Sequence, residues 1–278
     1  MKETLLKLDG QKKILDELAD KNSGSYNKIG FTSFNQWVDE AKKVKSPEEA
    51  RHILYYGFQP LYDAIINNEV KGKRASALEA LDKIVTAGVE YLTGYYLGKP
   101  ETNIINKLAA DVEDVVRGVH YYYKTRNVDY NGISTRDINC FIRTYIEKIT
   151  VNDIPKPDTI IGCACGSSEI VMPLAGILGA DLEFIRRSKR RNDDKALVIK
   201  EHAARIKKRV NGKSVVCVED YVCTAQSLYE VMTRTKRYKP TKLFGAGVNG
   251  DSTSMDDMEV QMSEKKFNIF ALTKNKNK

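Results

Sequence analysis

After Pro155-Lys156-Pro157 the chain changes texture, and that change limits the folds open to it. Short β-branched runs begin to alternate with helix-like patterns, over residues 159–161, 172–178, 182–185, 203–209, 214–218, 225–233 and 242–248. Strand, helix, strand in succession requires a crossover, so the strands lie parallel and the helices cover the sheet. Residues 267–272 read as a final strand. Ahead of the prolines the pattern is helical throughout. Residues 3–20 set Leu5, Leu6, Leu8, Ile14, Leu15 and Leu18 at helical intervals. A polar break at 21–30 follows, then Ser46-Pro47-Glu48-Glu49, a capping box with proline at the first helical position. Stretches 75–97, 103–123 and 134–150 continue the series, with Gly98-Lys99-Pro100 as a break. The expected organisation is an all-α domain over 1–152 and an α/β domain over 153–278, a mostly parallel sheet flanked by helices.

Charge and cysteine usage narrow the setting. The net charge of +8 is uneven: residues 186–213 hold twelve Lys or Arg against three Asp or Glu, and the remainder balances to −1. One basic segment beside a pocket suits an anionic small substrate at least as well as a nucleic acid, and the near-neutral remainder argues against a general nucleic-acid binder. No apolar run reaches the length of a membrane span. The first twenty residues carry acids and no hydrophobic leader core. Five cysteines, an odd number, point to free thiols and a cytoplasmic setting.

The chemistry concentrates around Val215-Val216-Cys217-Val218, which runs into the acids Glu219-Asp220. The loop Tyr221-Val222-Cys223-Thr224-Ala225-Gln226-Ser227 and a helix follow. In a parallel sheet, ligands collect where strand C-termini meet helix N-termini. A loop of small and hydroxylated residues there offers backbone N–H groups to a phosphate, with Thr224 and Ser227 adding hydroxyls. Two acids just before it suit the hydroxyls of an attached sugar. A ribose 5-phosphate meets both requirements.

This run resembles the PRPP-binding motif of the type I phosphoribosyltransferases: four hydrophobics, two acids, then a Thr-rich phosphate loop. The resemblance implies that Glu219 and Asp220 bind the ribose hydroxyls and that Cys223, Thr224, Ala225, Gln226 and Ser227 grip the 5-phosphate. The chain departs from the family at Ala225 and Gln226, where glycines are usual, and at Cys223, often Thr. A second stretch, residues 158–187, is similar to the family's first strand, pyrophosphate loop, helix and next strand. By that resemblance Cys163, Ala164, Cys165 and Gly166 contact pyrophosphate through their amides, although this loop lacks the basic residue many members carry. Arg187 and Lys189 then belong to a basic catalytic loop over the pyrophosphate. Catalytic weight falls on Asp220, Glu219 and Lys189, with Mg²⁺ held mainly through PRPP rather than by protein ligands.

The resemblance implies transfer of 5-phosphoribosyl from PRPP to a nucleobase-like acceptor, or the reverse. The alternative is a nucleotide- or PRPP-binding sensor on the same fold. The glycine-poor and basic-free loops favour the sensor; the acidic pair and Thr224 favour catalysis. Three roles stand open for the helical region: a lid over the acceptor site, an oligomerisation surface giving a homo-oligomer, or a docking module for a protein or nucleic-acid partner. Cys163 and Cys165 lack a second ligand pair at zinc-like spacing. His52, His120 and His202 are scattered, with only His202 near the basic segment. Tyr121-Tyr122-Tyr123, Lys124, Arg126 and Tyr130 mix aromatic and basic groups, and read first as half-buried packing. Trp37, with Phe31 and Phe34, reads as core or domain interface.

Overall fold

The computed structural model describes residues 8, 10–15, 33–70, 72–117, 135–151, 153–164, 166–187, 195–221, 226–249 and 268–271. The chain divides into two compact units, residues 24–132 and residues 133–278 together with 1–23.

The first unit contains helices α1 (Phe34–Ala41), α2 (Pro47–Ile66), α3 (Arg74–Tyr96) and α4 (Asn103–Val116). Helix α2 starts as its sequence dictates. The Glu49 N–H donates to Ser46 Oγ at 3.2 Å, and the Ser46 N–H donates to the Glu49 carboxylate at 3.3 Å. Backbone N–H groups of Lys45 and Ser46 hold that carboxyl below its ordinary value. Helix α1 was not among the expected helices, and Trp37 accounts for it. The indole lies against Gly57 of α2, where a Cβ would stand 2.6 Å from ring carbons. Its Nε1 donates to the Ile53 carbonyl at 2.7 Å. Glycine inside a helix costs about 1 kcal/mol against alanine; here it admits a buried tryptophan. The same helix carries buried polar groups. Arg51 pairs with Glu48 at 3.1 Å and stacks on Tyr95, 5.6 Å from its centroid. Tyr95 also donates to Glu48, and Tyr91 donates to the Pro47 carbonyl at 2.6 Å. Beside them His52 is buried, and desolvation followed by the Arg51 charge lowers its pKa to about 4.

The second unit is built on strands β1 (Thr159–Ala164), β2 (Asp181–Arg186), β3 (Ser214–Tyr221), β4 (Lys242–Asn249) and β5 (Asn268–Ala271). Their order is β2-β1-β3-β4-β5, every neighbouring pair parallel. Helices α5 (Thr135–Thr150), α6 (Ser168–Leu178), α7 (Ala203–Val210) and α8 (Gln226–Lys236) flank it. All six residues of β1 are buried, as a strand covered on both faces requires. On one face Ile161, Cys163, Ile185, Val215 and Cys217 pack with Ile206 and Val210 of α7 and Leu228, Val231 and Met232 of α8. The alternate residues face α6: a Cβ at Gly162 would meet the Phe184 ring at 2.8 Å and Ser167 Oγ, at the N-cap of α6, at 3.0 Å. The α/β class and parallel sheet hold as expected.

The units divide at 132/133, one helix before the expected 152/153. Helix α5 carries an apolar stripe, Ile138, Phe141, Ile142, Tyr145, Ile146 and Ile149, and buries it in the sheet unit against β4 and α6. Asn139 Nδ2 donates to the Leu15 carbonyl at 3.3 Å, tying helical residues 10–15 to the same unit. On the opposite face, α7 is pinned to β2 through Glu183, which is 1% exposed. Arg205 grips its carboxylate at 2.7 and 3.2 Å, and Arg209 adds a bond at 2.8 Å. Burial outweighs both guanidiniums and pushes the Glu183 carboxyl above its ordinary value.

Candidate active site

In an open parallel sheet the ligand crevice lies at the strand C-termini, where the connections change direction. Here β1 leads through α6 to β2 on one side, and the chain then returns to β3 on the other. The reversal falls between β1 and β3. Gly162 pairs with Val218, so Cys163 and Ala164 lie level with Glu219 and Asp220.

At this point the two motifs become one structure. A Cβ on Gly166 would stand 1.9 Å from Asp220 Oδ2 and 2.4 Å from its Cγ, so the carboxylate rests on the bare backbone after β1. The residues are 54 apart in sequence. Only glycine permits this approach; any side chain would displace the acid. Strand β3 also runs past its expected end at Val218, through both acids to Tyr221. Alternation therefore sends the carboxylates to opposite faces of the strand tip. Asp220 follows Val216 and Val218 toward the α6 face, and Glu219 follows Val215 and Cys217 toward the α8 face, beside Cys163. Both acids are half-buried.

Burial, then the charges of Glu219, Cys217 and Asp220, raise the Cys163 thiol well above its ordinary value. It stays protonated, which suits neither a nucleophile nor a metal ligand. Burial likewise pushes Cys217 up to about 12. Among the described residues no group of three or more His, Cys, Asp or Glu could hold a metal ion.

Arg187 stands one residue beyond the strand partner of Ala164, at the same end of the sheet. Its guanidinium donates twice to Glu230 of α8, at 2.5 and 3.1 Å, and Gln226 Nε2 donates to the same carboxylate at 3.2 Å. The cation expected on the pyrophosphate is thus held by α8, and through Glu230 it is joined to the first residue of that helix. The base of the following segment is fixed as well: Arg186 and Leu197 exchange backbone bonds of 2.9 and 2.7 Å.

Of the residues expected in the site, Cys163, Ala164, Gly166, Arg187, Glu219, Asp220, Gln226 and Ser227 gather at this end of the sheet unit. Cys165, Lys189, Cys223, Thr224 and Ala225 lie outside the described residues, as do Phe31, His120 and the aromatic–basic stretch 121–130. His202 is buried, and Arg205 donates to its Nδ1 at 3.1 Å, which joins it to the Glu183 cluster. Glu230 was not anticipated. Its place four residues after Gln226 sets it on the same helix face, but nothing in the sequence points to Arg187 as its partner. The basic segment 186–213 is not one feature: Arg205 and Arg209 are spent on Glu183, and only its beginning lies at this edge.

Comparison with known proteins gives one family match: residues 134–249 fit the model of the phosphoribosyl transferase domain. No curated protein matches the chain by sequence. Among solved structures, an adenine phosphoribosyltransferase is 17% identical with a TM-score of 0.37, over 50% of this chain and 78% of that one. An orotate phosphoribosyltransferase from Aeropyrum pernix is 14% identical with a TM-score of 0.37, over 50% and 70%. A purine phosphoribosyltransferase from Pyrococcus horikoshii is 26% identical with a TM-score of 0.32, over 42% and 71%. Among the described residues no helix is long and apolar enough to cross a membrane.

Proposed function

We propose, from the premise that residues 134–249 form a phosphoribosyltransferase domain, a glycosyltransferase-type enzyme domain, that the crevice between β1 and β3 binds PRPP and transfers its phosphoribosyl group to the nitrogen of a nucleobase-like acceptor, or runs the reverse reaction. The observation that carries this reading is Asp220 seated on Gly166, which joins the sugar-binding acid to the pyrophosphate loop at the reversal point of the sheet.

In this reading the bond from the anomeric carbon to pyrophosphate breaks as the carbon–nitrogen bond forms, and the acceptor nitrogen gives up its proton. Positive charge grows on the ribose ring meanwhile. Asp220 and Glu219, one on each face of the strand tip, bracket the ribose hydroxyls and stabilise that charge. The 5-phosphate takes the segment that leads into α8, residues Cys223, Thr224, Ala225, Gln226 and Ser227, since a helix N-terminus favours an anion. Pyrophosphate takes the amides of Cys163, Ala164, Cys165 and Gly166, with Arg187 and Lys189 as counter-charges. Mg²⁺ fits the donor set: the two half-buried carboxylates suit a cation carried on phosphate oxygens and water. When bound it supplies charge neutralisation on pyrophosphate, with Asp220 and Glu219 as the side chains to hold its waters. The odd cysteine count supports a cytoplasmic setting.

One observation favours a second reading, a PRPP- or nucleotide-binding sensor without turnover. Arg187 is already neutralised by Glu230, so the described part of the pyrophosphate subsite holds no uncommitted guanidinium. Incubation with PRPP, Mg²⁺ and a panel of bases, following pyrophosphate release, separates the two. Release with one base supports the transferase; calorimetric PRPP binding with no release from any base supports the sensor. Absence of both binding and release overturns the assignment of the crevice.

A further inference from the structure

The opposite edge of the same sheet carries a charge pattern that the phosphoribosyl reading does not use. Helices in this unit run against the strands, so α7 and α8 both end at the strand N-termini. Residues 203–213 and 233–242, the ends of these helices and the turns into β3 and β4, contain ten Lys or Arg and no Asp or Glu. Elsewhere the chain has 35 Lys or Arg against 37 Asp or Glu, so these 21 residues supply the whole positive excess. The two segments lie side by side. The Gly212 N–H donates to the Lys239 carbonyl at 3.0 Å, and the Thr241 N–H donates to the Lys213 carbonyl at 2.9 Å.

Three of the ten cations serve the fold: Arg205 and Arg209 hold Glu183, and Arg234 lies over the Tyr238 ring. The other seven, Lys207, Lys208, Lys213, Lys236, Arg237, Lys239 and Lys242, are all exposed, Lys236 with an interaction of its own. The nearby carboxylates Asp158 and Asp181 are two charges against these seven. Asp181 is engaged by Arg209 at 3.3 Å, and Asp158 accepts the Ser214 N–H at 2.9 Å. Helix dipoles favour cations in a last turn, which accounts for Lys207, Lys208 and Lys236. It does not account for Lys213, Arg237, Lys239 and Lys242, which lie beyond the helix ends. Like charges gathered on one edge repel one another, and a bound polyanion offsets that repulsion.

We infer that this edge is a binding surface for the phosphodiester backbone of a nucleic acid, separate from the phosphoribosyl crevice at the other ends of the strands. Lysine-rich surfaces of this kind contact phosphates without reading bases, so the binding is sequence-independent and salt-dependent. A membrane surface is the weaker fit. Val151 is the only exposed large hydrophobic residue among those described, and it belongs to neither segment.

The test is fluorescence anisotropy with labelled oligonucleotides of about 20 nucleotides, single-stranded RNA and duplex DNA, titrated over a range of salt. Four or more phosphate contacts give a log–log salt slope of about −3 or steeper. The variant K208Q/K213Q/R237Q/K239Q should lose at least about tenfold in affinity at moderate salt and flatten the slope. K208R/K213R/K239R, which keeps the charge, should bind as the parent does. Preference for RNA or for duplex DNA identifies the source of the backbone, and either supports the surface. The inference is overturned if neither oligonucleotide binds at low salt, if the glutamine variant binds like the parent, or if PRPP competes the oligonucleotide away. Affinity for phosphatidylserine vesicles without affinity for either oligonucleotide overturns it equally.

Discussion

The two units bury polar groups in different ways. In the helical unit Glu48, Arg51, His52 and Tyr95 cluster on adjoining helix faces, and Arg51 and His52 are almost fully enclosed. The Arg51 stack on Tyr95 and the Tyr95 bond to Glu48 hold α2 to α3. In the sheet unit one sealed carboxylate, Glu183, is clamped by Arg205 and Arg209, whereas the acids Glu219 and Asp220 stand half-buried at a strand tip. A polar group sealed within helices contributes to stability and makes it sensitive to pH. A polar group at the end of a covered strand is held rigidly by the ladder below it yet remains open to a ligand. The difference predicts that perturbing one unit changes folding and perturbing the other changes binding.

The largest effect is expected at the strand tip. E219Q together with D220N should abolish PRPP binding by calorimetry, a loss of about 4 kcal/mol if each acid forms one charge-assisted hydrogen bond with the ribose. Trp37, the single tryptophan, should report unchanged unfolding of the helical unit in that variant. Unchanged PRPP affinity would remove the acids from the site.

Next comes G57A. The helix-propensity gain of about 1 kcal/mol is outweighed by a Cβ driven into a buried indole and by strain on the Trp37 bond to Ile53, for a net loss of about 2 kcal/mol. Denaturant unfolding followed by Trp37 fluorescence checks it. PRPP affinity should stay within about twofold, since the substitution lies in the other unit; a larger change would break the proposed separation.

The pH response of the helical unit is of similar or smaller size. Because burial lowers the His52 pKa to about 4, the unfolded chain takes up a proton first as pH falls through 6.5. Stability is therefore lost between pH 6.5 and 4 and levels off below, by about 2 kcal/mol after allowance for partial relaxation. H52Q should flatten that part of the Trp37 stability profile, and a slope retained in H52Q would assign it to another group. The smallest effect is expected from E230Q. Releasing Arg187 should raise affinity for inorganic pyrophosphate about threefold, a change of less than 1 kcal/mol. A fall in affinity instead would mean that Glu230 positions Arg187 rather than competing for it.

How much of this could be read in the sequence differs along the chain. The capping box at Ser46 predicts the start of α2 because it is a local arrangement, complete within four residues. The order of strands and helices follows from period alone. Helix α1 is not legible because eight residues hold barely two turns, and its stability depends on Gly57, sixteen residues past its end. The division at 132/133 is not legible because the apolar stripe of α5 specifies that a partner exists but not which one. At the site, the acids and small residues were legible as types. Their division between two faces was not, because polar residues end the apolar pattern at Val218 while the ladder with β4 continues through Glu219. The bond between Arg187 and Glu230 joins residues 43 apart, and no local rule pairs them.

The seat of Asp220 on Gly166 also bears on how the protein is made. One half of the crevice emerges from the ribosome more than fifty residues before the other. Until β3 is complete, β1 can pair only with β2, and its other edge, apolar on both faces, stays open. Long-range parallel pairing is slow to nucleate, and an open apolar edge invites association with other chains. Through the synthesis of residues 166 to 221 the nascent chain therefore carries an open apolar edge that a chaperone can shield.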